Sequence, residues 1–165
     1  MLILGLDPGT LKSGYILYNP DAHTVEDKGI EDNHAILLLM DTYLSTADIL
    51  AIEMVASYGM SVGRTVFETC VWIGRFVQCY GVEESTILVY RREVKQLLCG
   101  TQKAKDTNVN QAIRDMFPST GKDSKGEPSP VGTKKFPGKL YGVNSHMYPA
   151  LGVALVAAKR IGEQT

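Results

Sequence analysis

The sequence has little cysteine, no long apolar run and almost no positive charge in its first half. Its three cysteines, Cys70, Cys79 and Cys99, are odd in number and lack CxxC spacing, which argues against a disulfide framework or a thiolate zinc site. Cys70 and Cys79 fall in a helical pattern beside Trp72 and Phe76, where burial as small apolar side chains is the expected role. No apolar run reaches the length that spans a bilayer, and the N-terminus lacks the basic, apolar and small-residue succession of a signal peptide. The expectation is a soluble, cytoplasmic protein without a membrane partner.

Residues 1–90 hold only 4 basic side chains against 12 acidic ones, whereas residues 91–139 hold 11 basic against 5 acidic, within an overall net charge of −1. Such segregation points to a basic face beside an acidic centre, a pattern suited to a polyanion; a solvated, mixed-charge surface is the alternative. A hydrophobic fraction of 44% and a mean hydropathy of −0.05 argue against disorder. A chain of 165 residues is expected to form one domain, 1–165, with a core of its own.

Periodicity and turn residues give the element order. Strands are expected at 2–6, 14–19 and 24–30, the first two joined through Gly9, followed by a helix over about 31–45 that includes Tyr43 and Leu44 in its apolar stripe. A strand at 47–53, a long amphipathic helix at 61–81 and a strand at 86–90 come next, then helices at about 91–99 and 107–117, with Asp106 expected as the N-cap of the second. Residues 118–143 read as a long Gly/Pro/Ser/Lys loop, and residues 145–161 as a closing apolar helix. No internal repeat is present. This order predicts an α/β fold: a mixed five-stranded sheet, antiparallel through its first three strands, with helices on both faces.

Two carboxylates stand at chemically suggestive places. Asp7 follows the first strand and Glu53 closes the strand after the first helix. If those strands are parallel neighbours, the two groups lie side by side and repel unless a cation separates them. Oxygen donors of this kind suit Mg²⁺ or Mn²⁺, and two such ions astride a phosphate activate water and stabilise the leaving oxygen. The plainer roles are a turn cap for Asp7 and a surface residue for Glu53. His146, at the head of the last helix, is a third candidate ligand, with a helix-start polar residue or a core histidine as alternatives. His23 and His34 are expected to be solvated.

The run LILGLDPGTLKSGYILY (2–18) resembles the first motif of the RuvC-type Holliday-junction resolvases, within the ribonuclease H-like superfamily. LAIEMVASYGMSVG (50–63) resembles their second motif, and SHMYPALGVALVAA (145–158) their closing one. The likeness covers most of the chain and is thinnest across 100–140, where KAKD and GTKKFPGKLYGV resemble phage-type relatives, implying a viral source. It implies Asp7, Glu53 and His146 as metal ligands and catalytic residues, a crossover junction endodeoxyribonuclease activity using Mg²⁺ or Mn²⁺, two ions per site, and no small-molecule cofactor. It also implies a homodimer on branched DNA, with the helix at 61–81 as the dimer helix. One position departs from the pattern: the family's last acidic ligand falls on Pro149, which has no side-chain donor.

For DNA, the expected contacts are Lys12, Arg64, Arg91, Arg92, Lys95, Lys103 and Lys105, with Lys122, Lys134, Lys135 and Lys139 in the long loop and Tyr58 as a stacking residue. Two other functions compete. The lost acidic ligand suits a module that binds junctions without cutting them, or cuts weakly. DPGT also resembles the first phosphate loop of actin-like phosphotransferases, which use two such domains.

Overall fold

Strict alternation along the first strand decides which side chains meet which layer. In the computed structural model, which describes residues 1–42 and 44–163, β1 (Ile3–Asp7) sends Ile3 and Gly5 to one face and Leu4 and Leu6 to the other. It pairs antiparallel with β2 (Lys12–Asn19), which pairs antiparallel with β3 (Thr24–Asp32). On its other edge β1 runs parallel to β4 (Ile49–Met54), and β4 runs parallel to β5 (Thr86–Tyr90). The sheet order is β3-β2-β1-β4-β5. This is the expected mixed five-stranded sheet with an antiparallel beginning. The third strand runs two residues further than expected, to Asp32, because Lys12 and Ser13 extend the partner ladder at its other end.

Two helices cover one face. α1 (Asn33–Thr42) and α2 (Arg64–Tyr80) lay Ile36, Met40, Ile73 and Phe76 over Leu4, Leu6, Leu50 and Ile52. Tyr43, assigned to the first helix on periodicity, lies outside the described residues. The other face carries α3 (Arg91–Cys99), α4 (Asp106–Met116) and α5 (Met147–Gly162). α5 is buried continuously from Ala150 to Ala157, as a helix apolar on every side must be. Its small residues let it lie close to the sheet: a Cβ on Gly5 would stand 2.2 Å from the carbonyl oxygen of Ala150.

The long loop is more structured than its composition suggests. Residues 118–143 contain a two-stranded ribbon, β6 (Gly121–Lys122) with β7 (Pro128–Ser129), and a set of turns closed by backbone hydrogen bonds. No helix among the described residues is long and apolar enough to cross a membrane. Cys70 and Cys99 are half-buried, but Cys79 is exposed, its thiol against the Leu37 carbonyl. The helical spacing that suggested burial places Cys79 at the rim of the α1–α2 pair rather than beneath it.

Candidate active site

The Pro-Gly turn after Asp7 is held from below by buried polar groups. The Gly9 amide donates to Ser13 Oγ at 3.1 Å, Ser13 Oγ donates to Asn33 Oδ1 at 2.6 Å, and Asn33 Nδ2 donates back to the Gly9 carbonyl at 2.9 Å. Ser13 and Asn33 are almost fully buried, so each must be partnered, and this ring fixes the turn. Asp7 is therefore held at the mouth of the β1–β2 hairpin. β4 supplies its neighbour: Leu6 pairs with Ile52, so Glu53 comes off the adjacent parallel strand beside Asp7.

His146 reaches the same place from the start of α5. Ser145, at a φ of +39°, turns the chain sharply before the helix, and His146 Nδ1 lies 2.8 Å from Asp7 Oδ2. An ionised carboxylate only accepts, so the imidazole donates from Nδ1. Gly14 makes this approach feasible, since a Cβ there would meet the His146 carbonyl oxygen at 2.4 Å.

A cationic shelf lies on the other side. Arg91 Nη1 is 3.6 Å from Glu53 Oε2, and Arg91 Nη2 donates to Asp106 Oδ1 at 2.9 Å, which Lys95 Nζ also approaches at 3.3 Å. The Asp7, Glu53 and Arg91 side chains are 17%, 17% and 18% exposed. Glu53 Oε2 and Arg91 Nη1 are buried without a hydrogen-bond partner among the described residues. Asp106 is not the helix cap its position suggested. Lys105 occupies the cap position with no side-chain hydrogen bond, and the Asp106 carboxylate turns instead to Arg91 and Lys95.

The electrostatics follow from burial. Burial, aided by the Asp7 charge, pushes the Glu53 carboxyl up to about 7 against the pull of Arg91. Burial also raises the Asp7 carboxyl, opposed by its hydrogen bond to His146. Burial works to raise Asp106 too, but Arg91 and Lys95 outweigh it and hold that carboxyl below the usual range. An acid whose folded pKa exceeds its unfolded value loses stability for the fold as pH rises between the two. The protein should therefore lose roughly 2–3 kcal/mol of stability between pH 4.5 and about 7 on account of Glu53. Denaturant unfolding across that range should show the slope in the wild type and a flatter profile in Glu53→Gln; identical profiles would mean that Glu53 titrates normally.

Whether these residues suit a divalent ion is a question of donor chemistry. Two largely buried carboxylates side by side, one with an oxygen that has no hydrogen-bond partner among the described residues, are suitable hard donors. Among the described residues no three His, Cys, Asp or Glu side chains gather closely enough to hold a metal by themselves. Asp7 leans to His146 and Glu53 to Arg91.

The residues expected to contact DNA divide into groups. Arg91 and Lys95 join the carboxylates. Arg92 stacks over the Tyr58 ring, 3.7 Å from its centroid, and Tyr58 adopts a φ of +48° in the loop after β4. Arg64 is exposed and pairs with Glu68. Lys12, Lys103, Lys105, Lys122, Lys134, Lys135 and Lys139 are all exposed. Sequence reading passed over Ser13 and Asn33, which anchor the turn, and gave Asp106 the wrong partner. Lys105 and Asp106 are adjacent in the sequence, and nothing in that local pattern reveals the guanidinium that Asp106 meets.

No protein-family model and no curated protein matches the sequence. Solved structures do match. RuvC of Thermus thermophilus superposes with a TM-score of 0.62 at 18% identity, covering 98% of this chain and 97% of that one. T. thermophilus RuvC in complex with Holliday junction substrate superposes with a TM-score of 0.66 at 16% identity, covering 98% and 96%. At such identity the likeness is one of fold, and the fold is ribonuclease H-like across nearly the whole chain.

Proposed function

We propose that this chain is a divalent-metal-dependent endonuclease for branched DNA, with four-way junctions as its main substrate and a homodimer as its working form. The observation that carries the reading is the pair Asp7 and Glu53, largely buried at the ends of adjacent parallel strands, with Glu53 Oε2 making no hydrogen bond among the described residues and only the 3.6 Å ion pair to Arg91. Asp7 and Glu53 would hold Mg²⁺ or Mn²⁺, with His146 as a further donor. Pro149 supplies nothing, so water and substrate phosphate complete the shell, which suits Mg²⁺ well. When bound, such an ion lowers the pKa of water and neutralises charge at the scissile phosphate.

The chain's own residues do the rest. His146 donates from Nδ1 toward Asp7, which leaves Nε2 as the ring atom that would ligate. Arg91, clamped between Glu53 and Asp106, places positive charge where phosphate must enter an acidic site. The exposed lysines hold the backbone through charge alone, so binding should weaken steeply with salt. The T. thermophilus relative, whose structure includes Holliday junction substrate, adds support from a shared fold.

A labelled four-way junction and a matched linear duplex, incubated with protein in Mg²⁺ and in Mn²⁺, test the reading. Paired symmetric nicks in the junction alone are expected. Tight junction binding with no cutting in either metal would make the chain a recognition module, with Pro149 as the reason.

The dimer reading rests on an apolar strip: Leu38 of α1 and Phe67 and Val71 of α2 are 69%, 60% and 63% exposed. A two-fold protein matches the two symmetric cut sites of a junction. Val71→Asp should shift the sedimenting species from dimer to monomer and turn paired cuts into single nicks. An unchanged sedimentation coefficient would place the dimer face elsewhere.

A further inference from the structure

Phe136 is an aromatic ring that the fold holds in the open. It is 46% exposed and sits in a turn fixed from both sides. Its amide donates to the Thr133 carbonyl at 3.0 Å, and its carbonyl accepts from the amides of Thr133 at 3.0 Å and Lys122 at 3.1 Å. Gly132, at a φ of +70°, gives that carbonyl its room, since a Cβ there would stand 2.2 Å from it. A backbone so fully bonded costs little further entropy when the ring is used.

The ring is bracketed by charge. Lys135 Nζ lies 5.3 Å and Lys122 Nζ 5.6 Å from its centroid, and Lys134 is exposed at the same turn. An apolar ring ringed by ammonium groups is poorly suited to an apolar protein partner, whose approach would strip water from those charges. It is well suited to nucleic acid, where phosphates take the lysines and a base covers the ring. A continuous duplex keeps its bases stacked on one another. A ring needs a base already freed, as at a branch point.

We infer that the Thr133–Phe136 turn is a second DNA-contact site, in which Phe136 stacks on an unpaired or unstacked base and Lys122, Lys134 and Lys135 take the flanking phosphates. This rests on the nucleic-acid reading above and adds to it the recognition of an exposed base.

The test is equilibrium binding of the full chain, by fluorescence anisotropy at several salt concentrations, to a four-way junction, a single strand and a perfect duplex. Phe136→Ala should bind junction and single strand about tenfold more weakly with an unchanged salt slope, and bind duplex as the wild type does. Phe136→Trp should retain wild-type affinity, while Lys134→Gln/Lys135→Gln should weaken binding to all three and flatten the salt slope. The exposed position makes a folding defect easy to separate, because thermal unfolding of each variant should match the wild type. Equal binding by wild type and Phe136→Ala, or equal loss on duplex and junction, overturns the inference and leaves the nuclease reading standing. A wild type that binds none of the three DNAs overturns both.

Discussion

Asp7→Asn is expected to abolish junction cleavage while yielding a protein at least as stable as the wild type. The amide keeps a carbonyl oxygen to accept from His146 Nδ1, so the contact now at 2.8 Å survives. What disappears is an anion that burial already disfavours, as its raised pKa shows. Removing that charge should leave folding unchanged or improve it by about 1 kcal/mol, while cleavage falls at least about a thousandfold, equivalent to roughly 4 kcal/mol of transition-state stabilisation. Calorimetric titration with Mn²⁺ should show the binding heat of the wild type lost in the variant. Cleavage at the wild-type rate would remove Asp7 from the chemistry. Parallel loss of cleavage and of the unfolding transition would give it a purely structural role.

Gly14→Ala should damage fold and site together. The added methyl would lie 2.4 Å from the His146 carbonyl oxygen, 2.6 Å from its carbonyl carbon and 2.8 Å from its Cβ. None of these atoms is the far end of a flexible chain, so the start of α5 has to back away from β2. Overpacking against backbone in a core of this kind costs about 1–3 kcal/mol. The same displacement carries His146 off Asp7. Urea unfolding should show the lower midpoint, and cleavage in excess Mn²⁺ should fall further than Asp7 and Glu53, both intact, would allow. A variant with wild-type stability and activity would mean that α5 has slack at its first turn.

Much of the fold was legible because its signals are local. Alternation in β1 and β2, the Pro-Gly turn, the amphipathic run of α2 and the small apolar residues of α5 each reflect a periodicity of a single segment, and each element formed near its expected place. Asp7 and Glu53 were legible for a similar reason: each ends an apolar strand, and the parallel pairing of β1 with β4 follows from a helical crossover. The 118–143 segment was less legible. Its composition describes a loop, whereas its turns depend on glycines meeting backbone from residues up to seventeen positions away, as Gly121 meets Gly138.

The sequence by itself determined the layer order, the strand ends that carry the two carboxylates, the basic segment, and the absence of an acidic side chain at position 149. The tertiary structure decided the partners of those charges. Asp106 pairs with Arg91, fifteen positions away, His146 pairs with Asp7 across 139 positions, and Ser13 and Asn33 close a ring beneath the turn. Such choices are invisible in one segment because they depend on which groups the closed sheet and α5 bring together. Asp7, Glu53 and Arg91 are largely withdrawn from water, where an unpaired charge is costly, and the more exposed Asp106 and His146 are the counterparts that packing sets beside them.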